Sequence, residues 1–286
     1  MCIRDRWGDL TEMDRCITIH GAMAEQLDQP IFAWGHAFVR SLRAQIAGDV
    51  DLAEQCASEA LQIGTDGGQP DAAIIFGAQL MIVCGQRGTM SDLAPLIEQM
   101  ASETPDIPRE LFTSLLAKAR VEGGDLEGAL PLLEEFAAAG FELPQDQVWM
   151  TGMVDFADAA IECGEPSYAA PLFERLEPWA GQLPVTGASA LGPVSHYLGG
   201  LATVLGRLDE ADAYFAHAAA MSEGMGAKFF GARTNLLWGR MLIGRNEDGD
   251  AARGEALLVA SRDAALTYGY AVVEQRAAAA LGDLVG

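Results

Sequence analysis

Lysine is almost missing from this sequence, which has only Lys118 and Lys228 among its 286 residues. Acidic residues outnumber basic residues 41 to 18, and the formal net charge is −23 at pH 7. Binding to a phosphate backbone needs clustered lysine and arginine side chains that release counterions. The charge therefore argues against a nucleic-acid interface, and it disfavours an anionic membrane surface for the same reason.

Cysteine is scarce too: the sequence has five cysteines, an odd number, and no C-x-x-C pair. This usage is typical of a reduced, cytoplasmic protein. The longest uncharged stretches, 72–86 and 178–206, are too short or too interrupted by proline and glycine to predict a membrane span. The four histidines show no metal-ligand spacing. We expect no metal and no cofactor.

Catalytic motifs are lacking as well. The sequence has no G-x-x-x-x-G-K-[ST] phosphate loop. The segment 187–191 (GASAL) misses the last glycine of a G-x-S-x-G nucleophile elbow and has no strand signal before it. The sequence predicts that the chain is not an enzyme.

Alanine, in contrast, is abundant, with 48 residues against 12 prolines, which favours helices. Glycines recur every 37 to 42 residues, and small residues stand seven positions before and five after most of them. A glycine can adopt positive φ and end a helix, and small residues let two helices cross closely. The period predicts stacked pairs of antiparallel helices. The recurring glycines are Gly8, Gly48, Gly85, Gly124, Gly164, Gly206 and Gly244.

The predicted fold class is all-α, a right-handed superhelix of antiparallel helix pairs (a tetratricopeptide-like α-solenoid). Carboxylates that follow the glycines, such as Asp49, Asp125 and Asp250, are expected at the N-termini of second helices, where unpaired N–H groups need acceptors. Apolar periodicity places helices at 8–27, 31–47, 50–63, 71–85, 90–103, 108–122, 125–139, 146–163, 166–179, 191–205, 208–223, 227–243, 250–267 and 270–283.

Residues 1–6 (MCIRDR) resemble the translated end of a sequencing adapter. We therefore expect an artefactual start and a natural protein that continues upstream. Leu10, Met13 and Ile17 begin an apolar stripe that needs a partner helix. Residues 7–286 are predicted to form one tetratricopeptide-like domain, a fragment of a larger protein.

The fifth helix pair matches the tetratricopeptide motif most clearly, although the period near 39 exceeds the usual ~34 residues. The wider stretch 176–244 resembles the C-terminal repeat arm of large bacterial signalling ATPases. These are MalT/LuxR-type transcription regulators and class III adenylate or guanylate cyclases with an AAA-like ATPase module. The residues of the fifth pair that match the tetratricopeptide motif are Gly199, Gly206, Ala211, Phe215 and Ala218. The features shared with the arms are Trp179-Ala180-Gly181, Gly192-Pro193-Val194, Leu205-Gly206-Arg207 and, before the last pair, Gly249-Asp250.

This resemblance implies a non-enzymatic arm that contacts a protein partner or the upstream ATPase domain of the same parent. The alternatives are a small-molecule inducer-sensing domain of a MalT/LuxR-like regulator and the arm of an adenylate cyclase. In tetratricopeptide arrays the first helix of each pair lines the concave side, and a tryptophan or histidine beside carboxylates there suits a peptide or a small cationic ligand. Ordinary packing between repeats is the alternative for each residue. When the first helices of the pairs are aligned on Gly199, the residues expected on the groove face are Asp158, Glu162, His196, Thr203 and Trp238.

Overall fold

A computed structural model describes residues 10–103, 108–146 and 148–284. These residues form fourteen α-helices, and the predicted all-α repeat architecture is confirmed, whereas the handedness of the superhelix stays a prediction. Residues 1–6, the predicted adapter, lie outside the described ranges. The helices are α1 Leu10–Leu27, α2 Pro30–Ala47, α3 Val50–Asp66, α4 Ala72–Arg87, α5 Ala94–Glu103, α6 Arg109–Glu122, α7 Leu126–Ala137, α8 Trp149–Cys163, α9 Pro166–Leu176, α10 Val194–Val204, α11 Leu208–Gly224, α12 Lys228–Arg245, α13 Asp250–Tyr268 and α14 Ala271–Gly282.

Four of the predicted turn glycines end a first helix in the left-handed backbone region, as expected. Their φ values are 79° at Gly48, 81° at Gly124, 71° at Gly164 and 71° at Gly206. None of the helices in the described ranges is long and apolar enough to cross a membrane.

Two predicted turn positions are wrong. Gly85 and Gly244 lie inside α4 and α12, which continue to Arg87 and Arg245. The chain reverses instead at Gly88, with φ 82°, and at Asn246, with φ 56°. A glycine can also adopt helical backbone, and Gly85 and Gly244 do so. Each helix therefore continues until a residue with left-handed backbone ends it.

Small residues mark the helix crossings. A Cβ atom added to Gly199 would lie 2.6 Å from Cδ1 of Phe215, on the following helix. Gly239 stands seven residues before the true turn at Asn246, and a Cβ atom there would lie 2.9 Å from the Gly254 carbonyl oxygen. Helix pairs of this closeness exclude larger side chains at the crossing.

The predicted carboxylate caps are confirmed at two positions. The Asp49 carboxylate accepts a hydrogen bond from the Leu52 N–H at 3.1 Å, and Asp125 accepts one from the Gly128 N–H at 2.9 Å. Asp250 lies in the first turn of α13, but its carboxylate pairs with Arg245 at 2.8 Å. Capping thus explains part of the acidity, and arginine pairs explain another part.

The helices form two layers. Even-numbered helices from α2 to α14 pack beside one another in the inner layer, with the turn at Met90–Leu93 mediating between α4 and α6. The odd-numbered helices that follow α2 cover the outside. The first helices of the pairs therefore face inward.

The two ends of the array meet. Helix α2 packs on α12, and α4 packs on α14. The Tyr270 hydroxyl donates to the Gly48 carbonyl at 2.8 Å. The Gln45 side chain donates to the Ala188 carbonyl at 3.2 Å and accepts the Ala190 N–H at 3.3 Å. We call the contact of Gln45 and Gly48 with Ala188, Ala190 and Tyr270 the seam, and it closes the expected open groove into a ring.

The seam hydrogen bond of Tyr270 gives a testable prediction. Tyr270→Phe is expected to lower the free energy of unfolding by about 1–3 kcal/mol, because it leaves the buried Gly48 carbonyl without its donor. Urea denaturation followed by circular dichroism measures the change. Tyr268→Phe is the control, because Tyr268 is 45% exposed and should change stability by less than ~0.5 kcal/mol. Equal effects of the two substitutions would contradict the seam.

Candidate functional site

The inner face of the ring lines a cavity of about 450 Å³ that is partly open to solvent. It is bounded by the inner helices α4, α6, α8, α12 and α14 and by the loop 185–191. Most of its wall is apolar, with contributions from Ile82, Leu115, Phe229, Leu237 and Val272. A concave, mainly apolar space of this size, with a few polar groups, is typical of a site for a small organic molecule.

Four charged side chains, two buried aspartates and two half-buried cations, form one wall of the cavity. The ammonium nitrogen of Lys118 lies 2.8 Å from Oδ1 of Asp155 and 3.4 Å from Oδ2 of Asp158. Nη2 of Arg233 lies 2.6 Å from Oδ1 of Asp158. We call Lys118, Asp155, Asp158 and Arg233 the charged cluster. Its members come from α6, α8 and α12, so it ties three inner helices together.

Local sequence explains why these side chains face inward. Lys118 stands between Ala117 and Ala119, which are both fully buried at the helix crossings of α6. Asp155 and Asp158 are three residues apart on α8 and share one helix face. Because α6 packs directly on α8, the lysine stem can extend between small residues to reach both carboxylates.

The charges of the cluster are unevenly balanced. Burial disfavours the Lys118 ammonium, but Asp155 and Asp158 outweigh it and raise the pKa of Lys118. Burial raises the pKa of Asp155, and Lys118 offsets only part of that effect. For Asp158, burial is outweighed by Arg233 and Lys118, which hold its pKa below the ordinary value. Asp155 is therefore the less compensated carboxylate.

Three further charged side chains line the cavity. Nη1 of Arg276 lies 2.7 Å from Oε1 of Glu162, and its Nη2 donates to the Val121 carbonyl at 2.9 Å. Oε1 of Glu122 accepts the Met90 N–H at 3.0 Å, and burial raises the pKa of Glu122. The described lining residues thus include four carboxylates and three cationic groups.

No protein-family model and no curated protein matches this chain. The resemblance to repeat arms of signalling ATPases stays a prediction from the sequence.

Two of the five groove candidates line the central cavity. These are Asp158, in the charged cluster, and Glu162, which binds Arg276. Glu162 also borders a second cavity of about 390 Å³ between α8, α10 and α12, together with Thr203. The Thr203 hydroxyl donates to the Gly199 carbonyl at 2.8 Å, within its own helix.

The other two candidates line neither cavity. Nδ1 of His196 lies 3.1 Å from the Thr234 hydroxyl, and burial, with Arg233 nearby, lowers the pKa of His196 to about 3. The ring therefore stays neutral at physiological pH. Trp238 lies between α11 and α13, where its indole N–H donates to Asp212 at 2.6 Å and Arg253 lies over its ring.

Sequence reasoning missed Lys118, Asp155, Arg233 and Arg276. A signal was present for Lys118, because it is one of two lysines and stands between two alanines of a first helix. Register alone could not show that helices α6, α8, α12 and α14 face one another. Among the described residues, no group of three His, Cys, Asp or Glu side chains is arranged to hold a metal ion.

Proposed function

We propose that this chain is a non-enzymatic sensor domain that binds a small organic molecule in its central cavity. The observation that carries the proposal is the cavity of about 450 Å³ between the two ends of the array, with the charged cluster in its wall. Apolar walls with a few oriented polar groups provide affinity and specificity for such ligands. In this proposal the parent is a cytoplasmic bacterial signalling ATPase of the kind that the sequence resembles.

Ligand binding would be coupled to the closure of the ring. The cavity is lined both by α4, α6 and α8 and by α12 and α14, which pack across the seam region. A ligand that contacts both sides binds the closed arrangement more tightly than an open one. It therefore shifts the population toward closure by the difference in those affinities.

A thermal-shift screen of small metabolites tests the proposal. A true ligand at 100 times its Kd is expected to add about 2.7 kcal/mol, which corresponds to a rise of roughly 5–10 °C in Tm for a chain of this size. Ala78→Phe places a ring at a residue that lines the cavity and should reduce or abolish the shift.

Ala73→Phe is the matched control, because Ala73 is exposed on the same helix α4. It should keep the full ligand shift. The proposal fails if no compound in a broad metabolite library raises the Tm, or if the rise is the same in both variants.

A second candidate function is protein contact through α1. Ile19, Met23 and Leu27 follow one another at intervals of four residues and are 44–47% exposed. In stacked repeats, an apolar stripe of this spacing packs on a neighbouring helix, and a second copy of this chain can supply such a helix. The double substitution Ile19→Glu and Met23→Glu should reduce self-association in light scattering without changing the ligand-induced shift in Tm. Unchanged self-association would argue against this surface.

A further inference from the structure

The ligand class follows from one atom in the cavity wall. Asp155 is fully buried, and its Oδ2 has no hydrogen-bond partner, although Oδ1 binds Lys118. A buried carboxylate oxygen without a donor carries a large desolvation cost. We infer that the cavity takes an organic amine, a monocation with an apolar body, whose ammonium group donates to Asp155. This inference rests on the proposed function.

An anionic ligand is disfavoured because each cationic group of the cavity already pairs with at least one carboxylate. Lys118 is bound to both aspartates, and Arg233 is bound to Asp158. Arg276 is bound to Glu162 and to a backbone carbonyl. A carboxylate or phosphate would have to share these cations with the carboxylates that already pair with them, and it would add to the negative charge of the lining. An ammonium group would add a donor where one is missing.

The charge balance points the same way. Four carboxylates and three cations line the cavity, which leaves one excess negative charge. Burial raises the pKa of both Asp155 and Glu122, and the neighbouring cations offset only part of that effect. Glu122 lies one turn after Lys118 on α6, so the two stand on the same helix face. A monovalent cation would neutralise the lining.

The apolar walls determine the rest of the ligand. Phe229, Leu237 and Val272 line the cavity on the side of the C-terminal helices, and Ile82 and Leu115 line it from α4 and α6. An amine with an aliphatic or aromatic body can bury that body here while its head reaches the charged cluster. Small, strongly hydrated amines lack this apolar contribution and should bind more weakly.

A head-group comparison on wild-type protein tests the inference. The probes are two sets with matched bodies: 1-aminoheptane, 1-heptanol and heptanoate, and tryptamine, tryptophol and indole-3-propionate. Isothermal titration calorimetry at pH 7.5 is expected to show that the amine of a set binds at least 10-fold more tightly than the carboxylate. A carboxylate that binds as tightly as its amine, or more tightly, overturns the inference.

Failure of this inference differs from failure of the proposed function. If no probe of either set binds but other compounds raise the Tm of the wild type and not of the Ala78→Phe variant, the amine inference is overturned and the sensor proposal survives. If no compound of any kind binds, both are overturned.

A substitution at Asp155 then tests whether this residue causes the preference for amines. Asp155→Asn keeps the shape and removes the charge, so amine affinity should fall at least 10-fold and approach that of the alcohol. Glu255→Gln, at an exposed position of α13, removes one negative charge far from the wall and should leave amine affinity unchanged. Equal amine affinity in both variants would exclude Asp155 as the amine site. The head-group comparison needs only the wild type, so it decides the ligand class even if Asp155→Asn fails to fold.

Discussion

Replacing Lys118 with methionine is expected to lower the free energy of unfolding by about 3–5 kcal/mol at pH 7. The substitution keeps the apolar stem and removes the ammonium that lies 2.8 Å from Asp155. Asp155 would then be a buried carboxylate with no cation bound to it, and Asp158 would keep only Arg233. Urea denaturation at several pH values measures the loss.

The pH dependence of this variant has a definite sign. Without Lys118, burial raises the pKa of Asp155 further, so the folded state binds a proton more readily than the unfolded state. Stability is then greatest below the ordinary aspartate pKa and is lost as pH rises through the folded pKa. The defect of Lys118→Met should therefore be smaller at pH 5 than at pH 8.

The chain provides a matched control in its only other lysine. Lys228 is exposed at the start of α12, and Lys228→Met should change stability by less than ~0.5 kcal/mol. Adding Asp155→Asn to Lys118→Met should recover much of the loss, because it removes the uncompensated charge. A loss of equal size at both lysines, or no recovery in the double variant, would show that the charged cluster does not stabilise the fold in this way.

Gly48→Ala is expected to destabilise the protein for two separate reasons. Gly48 has a φ of 79°, a backbone region that costs an alanine about 1–2 kcal/mol. Its Cβ atom would also meet the Tyr270 hydroxyl and lie 3.0 Å from the backbone nitrogen of Phe229, across the seam. Overpacking of this kind costs a further ~1–3 kcal/mol. Denaturation with urea gives the sum.

Gly124→Ala separates the two contributions. Gly124 has a φ of 81°, and a Cβ atom there would meet nothing within 4 Å. This control carries the backbone cost without the seam contact. Gly48→Ala should therefore be the more destabilising of the two by about 1–3 kcal/mol. Equal losses would mean that the ends of the array do not pack closely at Gly48 in solution.

Local patterns were enough to predict the helices. All fourteen lie where apolar periodicity placed them, with ends shifted by no more than a few residues, because stacked pairs impose the same pattern on each repeat. The turns at Gly85 and Gly244 were wrong for an equally local reason. The repeat spacing placed each turn at a glycine, whereas the chain reverses a few residues later, at the residue whose backbone is left-handed.

Closure of the ring could not be read from the sequence. The curvature of a repeat array is the sum of small rotations between neighbouring pairs, and no single residue encodes it. The same limit explains the site. Asp158 and Glu162 were placed on the inner face by register, but Lys118 and Arg233, which bind Asp158, come from helices 40 and 75 residues away.

The seam changes how such an array should unfold. In a linear stack each terminal pair has one neighbour, and its amides exchange with solvent first because the ends fray. Here Tyr270 near the end of the chain holds Gly48 near its beginning, 222 residues away. The outermost pairs thus support each other. Hydrogen exchange should find α2 and α14 nearly as protected as α8, and the whole array should lose its structure in one cooperative transition.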